Sequence, residues 1–214
     1  MRIGVLALQG AFIEHITAMQ QLGVEAPPIR LPDELDNLDG LIIPGGESTS
    51  ILHLMQSFCF MQPLRDLAKA GFPILGTCAG MICLAKEVPD HHMEALAVMD
   101  IAVKRNSFGR QIDSFETDLP IRVLGDKPFP AVFIRAPLIA RVDPKVEVVA
   151  VLPGGAVVAC REENLLAVAF HPELTGDLRF HSYFLSVVTA SAPGDAGDKG
   201  ERHAAMLRHR CAGD

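Results

Sequence analysis

Short, unbroken apolar runs alternate with amphipathic stretches through the first half of the chain. The run Arg2–Leu8 predicts a first strand and is followed by helical spacing from about Ala11 to Leu22. A strand near Glu25–Arg30 and another at Leu38–Ile43 come next, then a helix from Ser48 through Ser57 with more helix to Ala70. Phe72–Leu75 predicts a further strand, and Met81 to Lys86 a short helix after it. Continuous runs such as Gly40-Leu41-Ile42-Ile43 suit parallel strands covered on both faces, rather than the alternation of a half-exposed sheet. From about Asp100 the strands shorten: Ile101–Val103, Phe115–Val123, Ala131–Ile134, Glu147–Leu152, Ala156–Cys160 and Leu165–Phe170. Pro153-Gly154-Gly155 predicts a hairpin turn between two of them, and Asp177–Thr189 a closing helix. The pattern predicts an α/β fold of three layers, a mostly parallel sheet with helices on both faces.

Composition narrows this picture. Hydrophobic residues make up 49% of the 214, and the mean hydropathy of +0.26 fits a sheet buried on both sides. The length suits one domain, expected at 1–190, with 191–214 as a flexible tail rich in Gly, Ala and charge. A net charge of -7 offers no basic footprint for nucleic acid or an anionic membrane. No apolar stretch approaches the roughly 18 residues of a membrane span. Gln9, Glu14 and His15 interrupt the opening run, so it is read as a strand and not as a signal peptide. Five cysteines, with no C-x-x-C pair, point to a reduced, cytoplasmic setting.

Chemistry concentrates in Gly76-Thr77-Cys78-Ala79-Gly80, which sits between a predicted strand and a predicted helix. That is the pattern of a nucleophile elbow with Cys in place of Ser. The glycines relieve clashes at the sharp turn, and the sulfur is lifted to a helix N-terminus, where free N–H groups attract negative charge. Taken alone, the pentapeptide could equally be a buried, inert cysteine. A second motif, His171-Pro172-Glu173, follows the run Leu165–Phe170. Pro172 biases His171 towards an extended backbone, in which Glu173 would point to the same side as the imidazole. Alone, this motif could be a turn and a helix start. Together, the two suggest a nucleophile, its base and the group that orients the base, converging if their strands are parallel neighbours.

A third segment, Pro44-Gly45-Gly46-Glu47-Ser48-Thr49, follows strand Leu38–Ile43. It lacks the lysine of a phosphate loop and the third glycine of a dinucleotide fingerprint. At the carboxyl end of a strand it would lie in the ligand crevice of an open α/β sheet. There it could offer an oxyanion-hole N–H at Gly46 beside that of Ala79. Arg105 and Arg135 are candidates to grip a carboxylate, although surface salt bridging is their plainer role. His15, His53, His91 and His92 have no second ligand at metal spacing and are read as surface or packing residues, with no metal site.

These three motifs, in this order, resemble those of class I (triad) glutamine amidotransferases, whose sheet is flavodoxin-like. Longer blocks are similar to the glutaminase subunits of pyridoxal 5'-phosphate synthases: Leu8-Gln9-Gly10, Arg105 to Gln111, Asp113-Ser114-Phe115-Glu116 and Phe133-Ile134-Arg135-Ala136-Pro137. The resemblance runs from Met1 to about Thr189. It implies Cys78 as nucleophile, His171 as base and Glu173 as its orienting partner. It also implies that Gly46, Glu47, Ser48, Arg105, Ile134 and Arg135 contact L-glutamine, with the loop acting mainly through its backbone. The implied reaction needs no cofactor. The implied partner is a synthase subunit that uses the ammonia to make pyridoxal 5'-phosphate.

Overall fold

The computed structural model describes residues 1–89, 93–105 and 114–192. In chain order the elements are β1 (Ile3–Leu6), α1 (Phe12–Gln21), β2 (Pro28–Ile29), β3 (Gly40–Ile43), α2 (Ser48–Ser57), α3 (Met61–Lys69), β4 (Ile74–Thr77), α4 (Ala79–Leu84), β5 (Ala85–Glu87), β6 (Met99–Lys104) and β7 (Ser114–Leu119). There follow β8 (Phe129–Ile134), β9 (Leu138–Val142), β10 (Glu147–Val151), β11 (Val157–Glu162), β12 (Leu165–Val168) and α5 (Arg179–Ser191).

The main sheet runs β2-β1-β3-β4-β12-β11-β9-β6-β5, with β10 paired to β11. Its first half, β2 through β12, is parallel throughout, and β1, β3, β4 and β12 are buried at every position. This is the burial that the continuous apolar runs require. Beyond β12 the pairings turn antiparallel, up to the parallel β5–β6 edge. Strands β7 and β8 form a separate two-stranded ribbon. The fold is thus the expected α/β arrangement, a mostly parallel sheet flanked by helices.

Boundaries differ from the sequence reading in instructive places. The helix expected from Ser48 through Ser57 forms with those bounds, and the further helix expected to Ala70 is α3, set apart from it by Cys59, which takes φ 62 and ends the first. The predicted strand Phe115–Val123 stops at Leu119, and Arg122–Leu124 form a 3-10 turn. The elbow helix begins at Ala79, earlier than expected, and gives way to β5 at Ala85. The Pro153-Gly154-Gly155 hairpin forms as predicted: Gly155 has φ 84 and donates its N–H to the Leu152 carbonyl at 2.8 Å. The closing helix runs through Ser191, the first residue of the expected tail of 191–214, and residues 193–214 lie outside the described residues.

Candidate active site

Strands β4 and β12 are parallel neighbours with Thr77 opposite Val168, so the segments leaving their carboxyl ends emerge side by side. Cys78 leaves β4 with φ 48 and ψ -102, a conformation that non-glycine residues adopt only when the surroundings impose it. Its N–H donates to the Val168 carbonyl at 2.7 Å, which ties the elbow to β12. The flanking glycines are required by space. A Cβ on Gly80 would lie 2.0 Å from the Ile43 carbonyl oxygen, and one on Gly76 would lie 2.6 Å from the Gly80 backbone. No side chain could lie between the elbow helix and β3 at that distance.

His171 is anchored from behind. Phe170, fully buried, packs edge-on against Phe180 at 5.4 Å and against Phe133 at 5.8 Å between centroids. The His171 N–H donates to the Val132 carbonyl of β8 at 2.8 Å, so the ribbon helps to fix the imidazole. The expected extended path through His171-Pro172-Glu173 is not what forms. His171 keeps φ -107 and ψ 87, as the following proline requires, but Pro172–Leu174 turn into a 3-10 helix, for which proline's fixed φ is already set. Glu173 reaches back across this turn, and its Oε1 lies 2.7 Å from His171 Nδ1.

The electrostatics follow from burial and pairing. Burial by itself would push the His171 pKa down. Its hydrogen bonds to Cys78 and Glu173, with the charges on both, outweigh burial and raise it to about 10. Burial opposes the Glu173 charge as well, but His15 and His171 beside it hold the carboxylate below the usual range.

Gly46, Glu47, Ser48, Cys78, Ala79, Arg105, Ile134, Arg135 and His171 line one cavity of about 380 Å³, with Gln9, Ile82, Pro137 and Leu174 among its other walls. Glu173 stands behind His171, out of the cavity. The glycine loop closes over the pair: a Cβ on Gly45 would meet His171 Cε1 at 2.4 Å and Cys78 Cβ at 3.3 Å. The Gly45 carbonyl accepts from the Ala11 N–H at 3.0 Å, so the Gly46 N–H of the same planar peptide points the opposite way. The Glu47 side chain caps α2, accepting from the N–H groups of Thr49 at 3.0 Å and Ser50 at 2.7 Å, which lowers its pKa to about 2 against the opposing effect of burial. Its own N–H donates to Gln9 Oε1 at 2.8 Å. Arg105 Nη2 lies 3.4 Å from Glu47 Oε1, across the rim. Arg135 sits at φ 41 at the end of β8 and also faces the cavity. Residues 106–113, which carry much of one sequence block, lie outside the described residues, as do His91 and His92.

One residue departs from its sequence reading. His15, expected at the surface or in simple packing, is fully buried, and its Nε2 lies 3.3 Å from Glu173 Oε2. The available signal was its place with Ala18 and Met19 on the buried stripe of α1, where a polar side chain demands a partner. Among the described residues no cluster of His, Cys, Asp and Glu is arranged to hold a metal, and no helix is long and apolar enough to cross a membrane.

A protein 56% identical over 189 residues, covering 87% of this chain and 97% of its own, is the pyridoxal 5'-phosphate synthase subunit PdxT of Dehalococcoides mccartyi. The protein of the same name from Herpetosiphon aurantiacus is 56% identical over 190 residues, covering 87% of this chain and all of its own. A crystal structure described as a glutamine amidotransferase superposes with a TM-score of 0.84 at 44% identity, covering 88% of this chain and 100% of that one. The family model of the SNO glutamine amidotransferases matches residues 5–190. The chain therefore belongs to the SNO glutamine amidotransferase family.

Proposed function

We propose that this chain hydrolyses L-glutamine to L-glutamate and ammonia through Cys78, His171 and Glu173, and that the ammonia passes to a synthase subunit making pyridoxal 5'-phosphate, the vitamin B6 cofactor. The observation that carries the reading is the Glu173–His171 contact of 2.7 Å, directed at an imidazole that shares one cavity with an elbow-mounted cysteine. Cys78 Sγ, as thiolate, attacks the side-chain amide carbon of glutamine. The resulting oxyanion is received by the N–H groups of Ala79 and Gly46. The C–N bond breaks as imidazolium His171 gives its proton to the departing ammonia. Water, deprotonated by His171, then opens the glutamyl thioester, releasing glutamate and restoring the thiolate–imidazolium pair. Glu173 holds the Nδ1–H tautomer throughout and offsets the charge on the ring. Arg105 and Arg135, at the cavity rim, suit the α-carboxylate of the substrate, while Ile134 and the backbone of residues 46–48 shape its seat. The scheme draws on the protein's own groups and water and needs no cofactor. The relatives' common name supports the synthase partner and, with it, a cytoplasmic biosynthetic setting.

The test is labelling and replacement of the nucleophile. A glutamine-like electrophile should modify Cys78 and leave Cys83 and Cys160 untouched, since burial pushes both of those thiols up to about 12. Cys78→Ala should abolish ammonia release while the chain stays folded. A label found elsewhere by mass spectrometry, or turnover in the Ala variant, overturns the assignment.

A further inference from the structure

Behind the triad lies a buried polar chain that the reaction scheme does not use. Glu173 is bonded through Oε1 to His171, but Oε2, also buried, accepts no well-formed hydrogen bond from a described residue. His15 Nε2 faces it at 3.3 Å from α1 and lies 3.2 Å from Thr77 Oγ1 of β4. On its other side, His15 Nδ1 is 3.0 Å from Nε2 of His181 on α5, whose remaining nitrogen, Nδ1, has no partner among the described residues. His15 and His181 are both fully buried, and the rings meet edge to face at 5.3 Å.

Only one arrangement of protons avoids a conflict. If His15 carried its proton on Nδ1, its Nε2 lone pair would face the Glu173 carboxylate, and His181 would be left with a buried, orphaned N–H. With the proton on Nε2, His15 donates to Thr77 Oγ1, with Glu173 Oε2 beside the same N–H at 3.3 Å, and accepts from the His181 Nε2–H. The atom left bare is then the His181 Nδ1 lone pair, a lesser loss than an unpaired donor or a repulsive contact. Burial keeps both rings neutral: it is the main cause lowering the His15 pKa, and it takes His181 to about 3. The charged or titratable groups acting on His15 are Glu173, His171, His181 and Glu14 of its own helix.

We propose that His15 is a positioning residue for the glutaminase reaction, its Nε2–H shared between Thr77 Oγ1 and the second oxygen of Glu173, with its tautomer set by His181. The inference rests on the triad reading above. Glu173 is then gripped from two sides, its oxygens aimed by two imidazoles on different elements. The His15 contact is loose in the resting site and shortens when the charges of the reaction develop, as such contacts commonly do. With His15 sharing the carboxylate's charge, Glu173 holds the His171 proton less tightly than it would alone.

Two substitutions separate this role from simple packing. In His15→Gln the amide nitrogen reaches the Nε2 position and keeps the donor. In His15→Asn it reaches only the Nδ1 position, towards His181, and Glu173 loses its donor. The full chain, assayed with its synthase subunit, should lose about ten- to a hundredfold in kcat as Asn, the usual size for such outer partners, with KM little changed. The acid limb of its kcat/KM profile should move to higher pH, because the cluster holds its proton more tightly. His15→Gln should recover most of the rate and return the limb. Unchanged kcat in His15→Asn, or equal losses in both variants with the limb unmoved, overturns the inference. Should His15→Asn fail to fold, His181→Leu, which frees His15 to take the opposing tautomer, is read by the same two outcomes. Glu173→Gln run in parallel keeps the two claims apart. Full activity there removes the triad reading itself, whereas loss there with normal His15→Asn removes only this one.

Discussion

At the scale of single residues, the proposed chemistry depends on a few atoms held where burial would otherwise forbid charge. His171→Asn should lower kcat by about 10⁴-fold or more, because members of such a unit fail together. Glu173→Gln should be milder, about 10²-fold, since an amide can still orient the ring but stabilises its cation poorly. Stopped assays of ammonia release decide both, and an unimpaired Glu173→Gln would remove Glu173 from the scheme. A pH effect on stability belongs at the same scale. Folding raises the His171 pKa from 6.5 to about 10, so its protonation stabilises the fold fully below about pH 6.5, and that contribution is lost as pH climbs towards 10. Urea midpoints of the native chain should therefore fall across that window, and those of His171→Asn should fall less. Cys78, His171 and Glu173 were legible as a set in the linear chain because each brings its own local signature. His15 was legible only in part, since its place on one stripe with Ala18 and Met19 asks for a buried partner without saying which.

At the scale of elements, the elbow is a packing problem as much as a catalytic device. Gly80→Ala would force a Cβ to within 2.0 Å of a backbone oxygen of β3, which neither element can yield without losing sheet pairing. Overpacking of this kind should cost about 3 kcal/mol, a fall in Tm of roughly 6–12 °C for a domain of this size. Gly154→Ala, where an added Cβ meets nothing within 4 Å, should stay within about 0.5 kcal/mol of the native chain. Thermal melts of the two variants make the comparison, and equal melting temperatures would show that the elbow relaxes freely. The strand cores were readable from their unbroken apolar runs. Their ends were less so. The turn after His171 depends on how Glu173 folds back, which is not written in hydrophobic spacing.

At the scale of the whole molecule, the glycine loop is tied to the end of β1 by two bonds, Ala11 N–H to Gly45 carbonyl and Glu47 N–H to Gln9 Oε1. A partner docking on this edge of the sheet could press on the Gly45-Gly46 peptide through them. One oxyanion donor is worth on the order of 3 kcal/mol, about a hundredfold in rate. A partner that tightens these ties would hold the Gly46 N–H more firmly in place, so the synthase subunit is expected to raise kcat, with that stimulation lost in Gln9→Ala. Steady-state assays with saturating partner test it, and a kcat indifferent to the partner would rule it out. What the sequence determined by itself was whatever short-range physics encodes. Apolar runs specify buried parallel strands, paired glycines specify an elbow and a close-packed loop, and a proline conditions the residue before it. What only the tertiary structure decided was which side chains, up to 166 residues apart, meet in one buried place. His15 from α1, Thr77 from β4, Glu173 from a 3-10 turn and His181 from α5 converge because four elements pack around the carboxyl ends of β4 and β12. No local pattern carries that information, since it is the packing of helices on the sheet that closes those distances.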